Sequence, residues 1–376
     1  MTTGLFIGKF LPFHRGHLSA ILKSSTQCDM LYVVISQDRR QMLRRCKENN
    51  IKEMPLEMIT SWMKKELGAF SDHIKIVPID ETSLPPLKDK NNPKEWRKEW
   101  VDIAKPALVE AGMIQFEDGQ LDLDFMFGSE IGYQEYANKY ISKKTKYIMI
   151  DLDRSYVNIS ASELVKNIYK HWDMVPGSVR PYFVKKVLIT GIESCGKTVL
   201  TQKLAKNFLT SWSIEYGKQY QILIDSTPDK KWDIDDFNNI AKFQLSQDQQ
   251  AYQTANKVAF IDTDAIVTDY YLGLFMGKEG CSEFIEKLKK EEIDKWDLVI
   301  LLRPTVQWIQ DGTRFDDMKD METRWKLHDK LKSMYNNYGI KYIEVGGDYK
   351  YRFEFSINLV EKLLNKEKND EKRYSD

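Results

Sequence analysis

Cysteine is scarce in this chain. Four thiols in 376 residues (Cys28, Cys46, Cys195 and Cys281) stand too far apart for a disulfide scaffold or a cysteine metal centre. Such usage suits a reducing compartment, and a cytoplasmic location is the expectation. Long apolar runs are also missing: none approaches the roughly 18 residues of a spanning helix. The opening MTTGLFIGKF enters a strand pattern directly, with no basic leader. Nor does either sign of charge prevail, since 56 Lys and Arg balance 56 Asp and Glu. No net field draws the chain onto nucleic acid or a membrane surface. No internal repeat is visible, and the one marked charge run, Asn365–Asp376, reads as a solvated end. What remains is a globular composition, 42% hydrophobic and 12% aromatic, long enough for two domains of about 100–200 residues each.

The most informative stretch runs from Lys185 to Phe208. Gly191, Gly196, Lys197 and Thr198 fall in the order G-x-x-x-x-G-K-T. The β-branched run Val187–Thr190 precedes them, and Leu200, Leu204 and Phe208 follow at helical spacing. Strand, glycine loop and helix start together form the context of a phosphate-binding P-loop. Backbone N–H groups of the loop, here Gly191 to Gly196 with Glu193, Ser194 and Cys195 inside it, turn toward a polyphosphate, and the helix N-terminus adds partial positive charge. Lys197 is expected to reach the β- and γ-phosphates and the Thr198 hydroxyl to bind Mg²⁺, so ATP and Mg²⁺ are the expected cofactors. Cys195 reads as a small filler rather than a nucleophile. Glu193 is an unusual neighbour for phosphates and is expected to face the substrate or Lys197.

A second signature lies at the start of the chain. After the short apolar strand Leu5–Gly8 comes Lys9-Phe10-Leu11-Pro12-Phe13-His14-Arg15-Gly16-His17. Further β-rich runs at 31–35, 74–77, 125–127 and 147–150 alternate with helical stretches such as 55–67, the pattern of a parallel, doubly wound sheet. Ligands of such sheets sit at the carboxyl ends of the strands, where His14 and His17 fall. No carboxylate or cysteine nearby completes a metal site, and imidazoles at a helix start can donate hydrogen bonds to phosphate. Gly16 is read as allowing close approach of a ligand, and Gly8 as ending the strand beneath it.

The stretch from Gly8 to His17 resembles the nucleotidyltransferase signature. Followed by a P-loop kinase pattern, it is similar to the NadR family, which pairs nicotinamide mononucleotide (NMN) adenylyltransferase with ribosylnicotinamide kinase. The resemblance covers nearly the whole chain. It includes Phe127-Gly128-Ser129-Glu130, Asp151-Leu152-Asp153-Arg154-Ser155, His171-Trp172, Arg180-Pro181-Tyr182, Trp212 through Tyr216-Gly217, Ile261-Asp262-Thr263-Asp264 and Asp311-Gly312-x-Arg314. It implies a Rossmann-like nucleotidyltransferase domain over 1–178 and an α/β P-loop kinase domain over 179–376. Gly8, Lys9, Phe10, Gly16, Ser160 and Ser162 would hold nucleotide in the first, with His14 and His17 catalytic. Longer family members carry an N-terminal helix-turn-helix domain; this chain begins at the first strand, so a form without it, and no nucleic-acid partner, is the expectation.

One departure bears on activity. The family closes its triphosphate site with I-S-x-T-x-x-R, and here the stretch reads Ile159-Ser160-Ala161-Ser162-Glu163-Leu164-Val165. Valine cannot imitate a guanidinium fork, and Lys166 points about 100° around the helix. In the kinase half Asp262, at the end of a buried strand, is expected to serve as the Mg²⁺ anchor beside Thr198, and Asp264 as a helix cap. Glu215 or an aspartate is the base, an alternative left open, and Arg314 is expected to contact the ATP phosphates from a lid. Trp96 and Trp100, four apart, share a helix face; one packs in the core and the other is free to stack on a nicotinamide ring.

The resemblance therefore implies phosphorylation of nicotinamide riboside to NMN by the second domain and adenylyl transfer to NMN, giving NAD and pyrophosphate, by the first. The alternatives are a kinase with a vestigial first domain, or a nucleotide sensor coupled to a nicotinamide riboside transporter. A homo-oligomer is expected.

Overall fold

A computed structural model of the chain describes residues 1–85, 98–128, 133–150, 159–225, 232–277, 282–308 and 320–365. The chain divides into two compact units, Met1–Val179 and Arg180–Asp376. Each is α/β and is built on a five-stranded parallel sheet.

Unit 1 runs β1 (Thr3–Gly8), α1 (Arg15–Ser25), β2 (Met30–Gln37), α2 (Arg39–Glu48), α3 (Leu56–Leu67), β3 (Ile74–Asp80), α4 (Lys98–Glu110), β4 (Phe125–Gly128), α5 (Tyr133–Tyr140), β5 (Lys146–Met149) and α6 (Ala161–Lys166). Its strand order is β3-β2-β1-β4-β5. In register, Leu5 of β1 stands between Tyr32 of β2 and Met126 of β4. Central strands covered by helices on both faces have no polar side to show, which is why Leu31 to Gln37 is buried without interruption. Burial of each such aliphatic side chain contributes about 1.5–3 kcal/mol. Trp100 belongs to this core and donates its indole N–H to Ser36 Oγ at 2.7 Å; Trp96 lies outside the described residues. The helix expected over 55–67 begins at Leu56, with Pro55 as its cap residue, because proline has no N–H to contribute to a helix interior.

Unit 2 contains α7 (Arg180–Phe183), β6 (Lys185–Thr190), α8 (Lys197–Asn207), β7 (Trp212–Ser213), α9 (Tyr216–Asp225), α10 (Ile234–Thr254), β8 (Val258–Asp262), α11 (Ala265–Met276), α12 (Glu283–Glu291), β9 (Leu298–Leu302), α13 (Met321–Asn337), β10 (Ile343–Val345) and α14 (Tyr349–Leu364). The order β10-β9-β6-β8-β7 puts β6 at the centre. Val187 and Ile189 of β6 pack with Phe260 of β8 and Ile300 of β9 in the core.

In both sheets the chain returns to opposite sides of one central strand, β1 in unit 1 and β6 in unit 2. The crevice at the carboxyl end of such a strand is where open α/β sheets take ligands. The histidine motif follows β1 and the glycine loop follows β6.

Candidate functional site

In unit 1 the loop after β1 is held down by apolar side chains: Phe10, Leu11 and Phe13 are each at most 3% exposed. His14 does not lie on the helix. It is the N-cap of α1, and its Nδ1 accepts from the backbone N–H of Gly16 (3.1 Å) and His17 (3.4 Å). With Nδ1 an acceptor, the neutral ring carries its proton on Nε2. The His17 ring stacks on His14, centroids 3.6 Å apart, and meets Phe10 edge-on at 5.0 Å. β1 ends at Gly8, as the sequence pattern suggests, and both glycines have close neighbours within the motif. A Cβ at Gly16 would come within 2.9 Å of the His14 ring, and one at Gly8 within 2.6 Å of Phe10. Both make room for side chains of the motif itself. Lys9 is exposed and donates to Gln41 Oε1 at 2.7 Å.

The second motif of unit 1 stands beside the first. Ile159 Cγ2 is 3.6 Å from the position a Gly16 Cβ would take. Ser160 caps α6, accepting from Glu163 N at 3.1 Å. The Ser162 hydroxyl accepts from Nη2 of Arg45, a residue of α2 that sequence reading passed over, at 3.1 Å. Burial acts to lower the Arg45 pKa. Val165 is 6% exposed, part of the buried interior, whereas Lys166 is exposed.

In unit 2 the glycine loop has left-handed backbone at Ser194 (φ 60°) and Gly196 (φ 87°), and Gly191 has φ 147°. A Cβ at Gly191 would meet Cys195 Sγ at 2.8 Å and the Leu302 carbonyl at 2.9 Å. Cys195 is fully buried, its thiol donates to Ile192 O at 2.8 Å, and burial raises its pKa. That is the setting of a packed filler rather than of a thiolate.

Lys197, 5% exposed, reaches Ile192 O at 3.2 Å and Glu215 Oε2 at 3.7 Å. Burial disfavours its ammonium, but the surrounding negative charge, Glu215 foremost, outweighs that and holds it charged. The Thr198 hydroxyl bonds Asp262 Oδ2 at 2.5 Å. Asp262 is wholly buried at the end of β8. Burial, reinforced by Glu215, lifts its pKa to about 7 against the pull of Lys197 and the Thr198 and Thr263 hydroxyls. Asp264 caps α11 through Val267 N (3.0 Å) and accepts from the Tyr335 hydroxyl (2.8 Å). These oxygens bear on metal binding: Thr198 and Asp262 present the hard oxygen donors Mg²⁺ takes, and a magnesium site completed by water and phosphate needs only one or two protein ligands.

Glu193, Lys197, Thr198 and Glu215 line a cleft together with four aromatic side chains, Trp232, Phe237, Tyr271 and Phe275. Trp232 packs between Phe237 (5.4 Å) and Phe275 (5.1 Å). This aromatic wall escaped the sequence reading, because it is assembled from Trp232 ahead of α10, Phe237 within it, and Tyr271 and Phe275 of α11. Arg314, Asp311, Gly312, Ser129, Glu130 and residues 151–155 lie outside the described residues.

The sequence pattern of a family described as an AAA domain matches residues 186–352, all within unit 2. Two curated relatives, each the "Trifunctional NAD biosynthesis/regulator protein NadR", are 27% identical to this chain. The match to the Salmonella typhimurium protein covers 96% of this chain and 83% of that protein, and the match to the Escherichia coli protein 98% and 84%. Two solved NadR structures, one in complex with NR and one with NAD and AMP-PNP, superpose with a TM-score of 0.74 at 23% identity, covering 96% of both chains in each case. Along nearly its whole length, in sequence and in fold, this chain is thus similar to the NadR proteins.

Proposed function

We propose that this chain is a NadR-type enzyme of NAD biosynthesis with two sites. Unit 2 transfers the γ-phosphoryl of ATP to the 5′-hydroxyl of nicotinamide riboside, giving NMN and ADP. Unit 1 joins the AMP portion of a second ATP to NMN, giving NAD and pyrophosphate. The observation that carries the reading is the cleft of unit 2. It brings a buried Lys197 and Thr198, itself bonded to Asp262, into one cleft with the aromatic side chains of Trp232, Phe237, Tyr271 and Phe275. A flat pyridinium ring is attracted to aromatic faces, while the loop end of the cleft suits phosphate. In this reading Glu215 accepts the proton of the attacking hydroxyl and Lys197 neutralises charge on the transferred phosphoryl. Thr198 and Asp262 would hold Mg²⁺, which when bound neutralises charge on the ATP phosphates.

In unit 1 the histidine motif and the Arg45 guanidinium beside Ser162 are the groups for phosphate oxygens. Arg45 thereby supplies a guanidinium that Val165 lacks. A narrower reading, in which unit 2 alone is active, draws on the burial of Val165. The deciding experiment is a time course of purified protein with Mg-ATP and nicotinamide riboside, with products separated by chromatography. NMN followed by NAD is the expected result. NMN accumulating alone would leave the narrower reading, and no NMN would overturn both.

A further inference from the structure

Two arginines that no motif singles out reach the glycine loop from the far end of the chain. Arg352 of α14 is 2% exposed and Arg324 of α13 is fully buried. A buried guanidinium ordinarily needs a carboxylate, yet among the described residues Arg352 makes no ion pair. Its donors go to four oxygens: Gly347 O (3.1 Å), Arg303 O (2.8 Å), Thr305 Oγ1 (2.8 Å) and, from Nη1, the carbonyl of Cys195 (2.5 Å). Arg324 donates from Nη1 to Val306 O (2.8 Å) and from Nη2 to the carbonyl of Ser194 (3.2 Å).

Ser194 and Cys195 carry consecutive carbonyls of the loop. A trans peptide is planar, so its N–H points opposite its C=O. Holding Ser194 O and Cys195 O against the arginines therefore turns the N–H groups of Cys195 and Gly196 the other way. Left-handed backbone at Ser194 and Gly196 produces the concave arrangement of N–H groups that binds anions. We propose that Arg324 and Arg352 are positioning residues that keep these two N–H groups presented to a polyphosphate, and that they set its affinity through the loop. Their buried positive charge also raises the potential behind it. This inference rests on the reading of the loop as the ATP site.

The test is calorimetric titration of the full chain with Mg-ATP, inorganic tripolyphosphate and nicotinamide riboside, alongside thermal unfolding. Wild-type protein that binds neither ATP nor tripolyphosphate would overturn the nucleotide-site reading itself. Given wild-type binding, the polyphosphate isotherm that Lys197→Ala removes, which reports the loop of unit 2 and not the ATP site of unit 1, is expected to weaken by about ten- to a hundredfold in Arg352→Gln, the worth of one or two charge-assisted hydrogen bonds. Nicotinamide riboside affinity should stay within about twofold, and Arg352→Lys should recover part of the loss. Unchanged polyphosphate affinity in folded Arg352→Gln would refute the positioning role. So would a parallel loss of polyphosphate and riboside binding that tracks a lowered Tm, the mark of a merely structural residue. Should Arg352→Gln fail to fold, Arg324→Gln severs the Ser194 carbonyl and is read against the same outcomes.

Discussion

Replacing Asp262 with asparagine should make the ligand-free protein more stable while removing the proposed kinase activity. Asp262 is wholly buried, beside Lys197 and bonded to Thr198, and its pKa rises from the ordinary 3.8 to about 7. Below about pH 4 the carboxyl is protonated in folded and unfolded chains alike and contributes no difference. Between about pH 4 and 7 the unfolded chain releases the proton while the folded chain keeps it, so stability falls as pH rises and levels off above 7. A shift of that size, at about 1.4 kcal/mol per unit, amounts to a penalty on the order of 4 kcal/mol at neutral pH. Asparagine has the same shape and keeps an oxygen for the Thr198 hydroxyl, at the loss of about 1 kcal/mol where a charged acceptor becomes neutral. Asp262→Asn is therefore expected to gain about 2–4 kcal/mol at pH 8, with the gap closing by pH 4. The assay is urea unfolding read by hydrogen exchange of the β6 and β8 peptides, so that unit 2 is followed by itself. The other buried acids, Asp248, Asp264 and Glu292, titrate upward as well, but they are common to both proteins and cancel in the comparison. A variant no more stable than wild type at pH 8, or a gap that persists at pH 4, would refute the reasoning.

Lys197→Ala should abolish phosphorylation of nicotinamide riboside and spare adenylylation of supplied NMN, while His17→Ala should do the reverse. Loss of both activities in either folded variant would contradict two separate sites. Arg45→Ala should lower adenylylation by about tenfold, measured as NAD formed from NMN and ATP, with kinase turnover unchanged. Val165→Arg should not restore a missing cation: the position is buried, so the larger charged side chain should destabilise unit 1 by about 1–3 kcal/mol or more, seen as earlier thermal unfolding without a gain in NAD formation.

The sequence by itself determined the parts of this protein that are local. Alternating β-rich and helical segments were enough for an α/β chain with parallel sheets, because the pattern of burial on a doubly covered strand is written in consecutive residues. The glycine loop was equally legible: its unusual backbone is demanded within a few positions, and Lys197 and Thr198 follow in the first helical turn. Asp264 as a cap was readable from its place one residue ahead of a helix.

Tertiary structure decided what meets across distance. Thr198 meets Asp262 over 64 residues because β8 lies beside β6, and Arg45 meets Ser162 over 117. Gly8 ends β1 where the sequence pattern placed the strand end, but only the folded loop shows the rings of Phe10 and His14 turning back beside Gly8 and Gly16. Trp232 and Phe275 became a cleft wall only once α10 and α11 were set beside the loop. No spacing rule marks Arg324 or Arg352 either. Their partners are backbone carbonyls, which every residue carries, so only the path of the folded chain shows which ones the guanidinium groups hold.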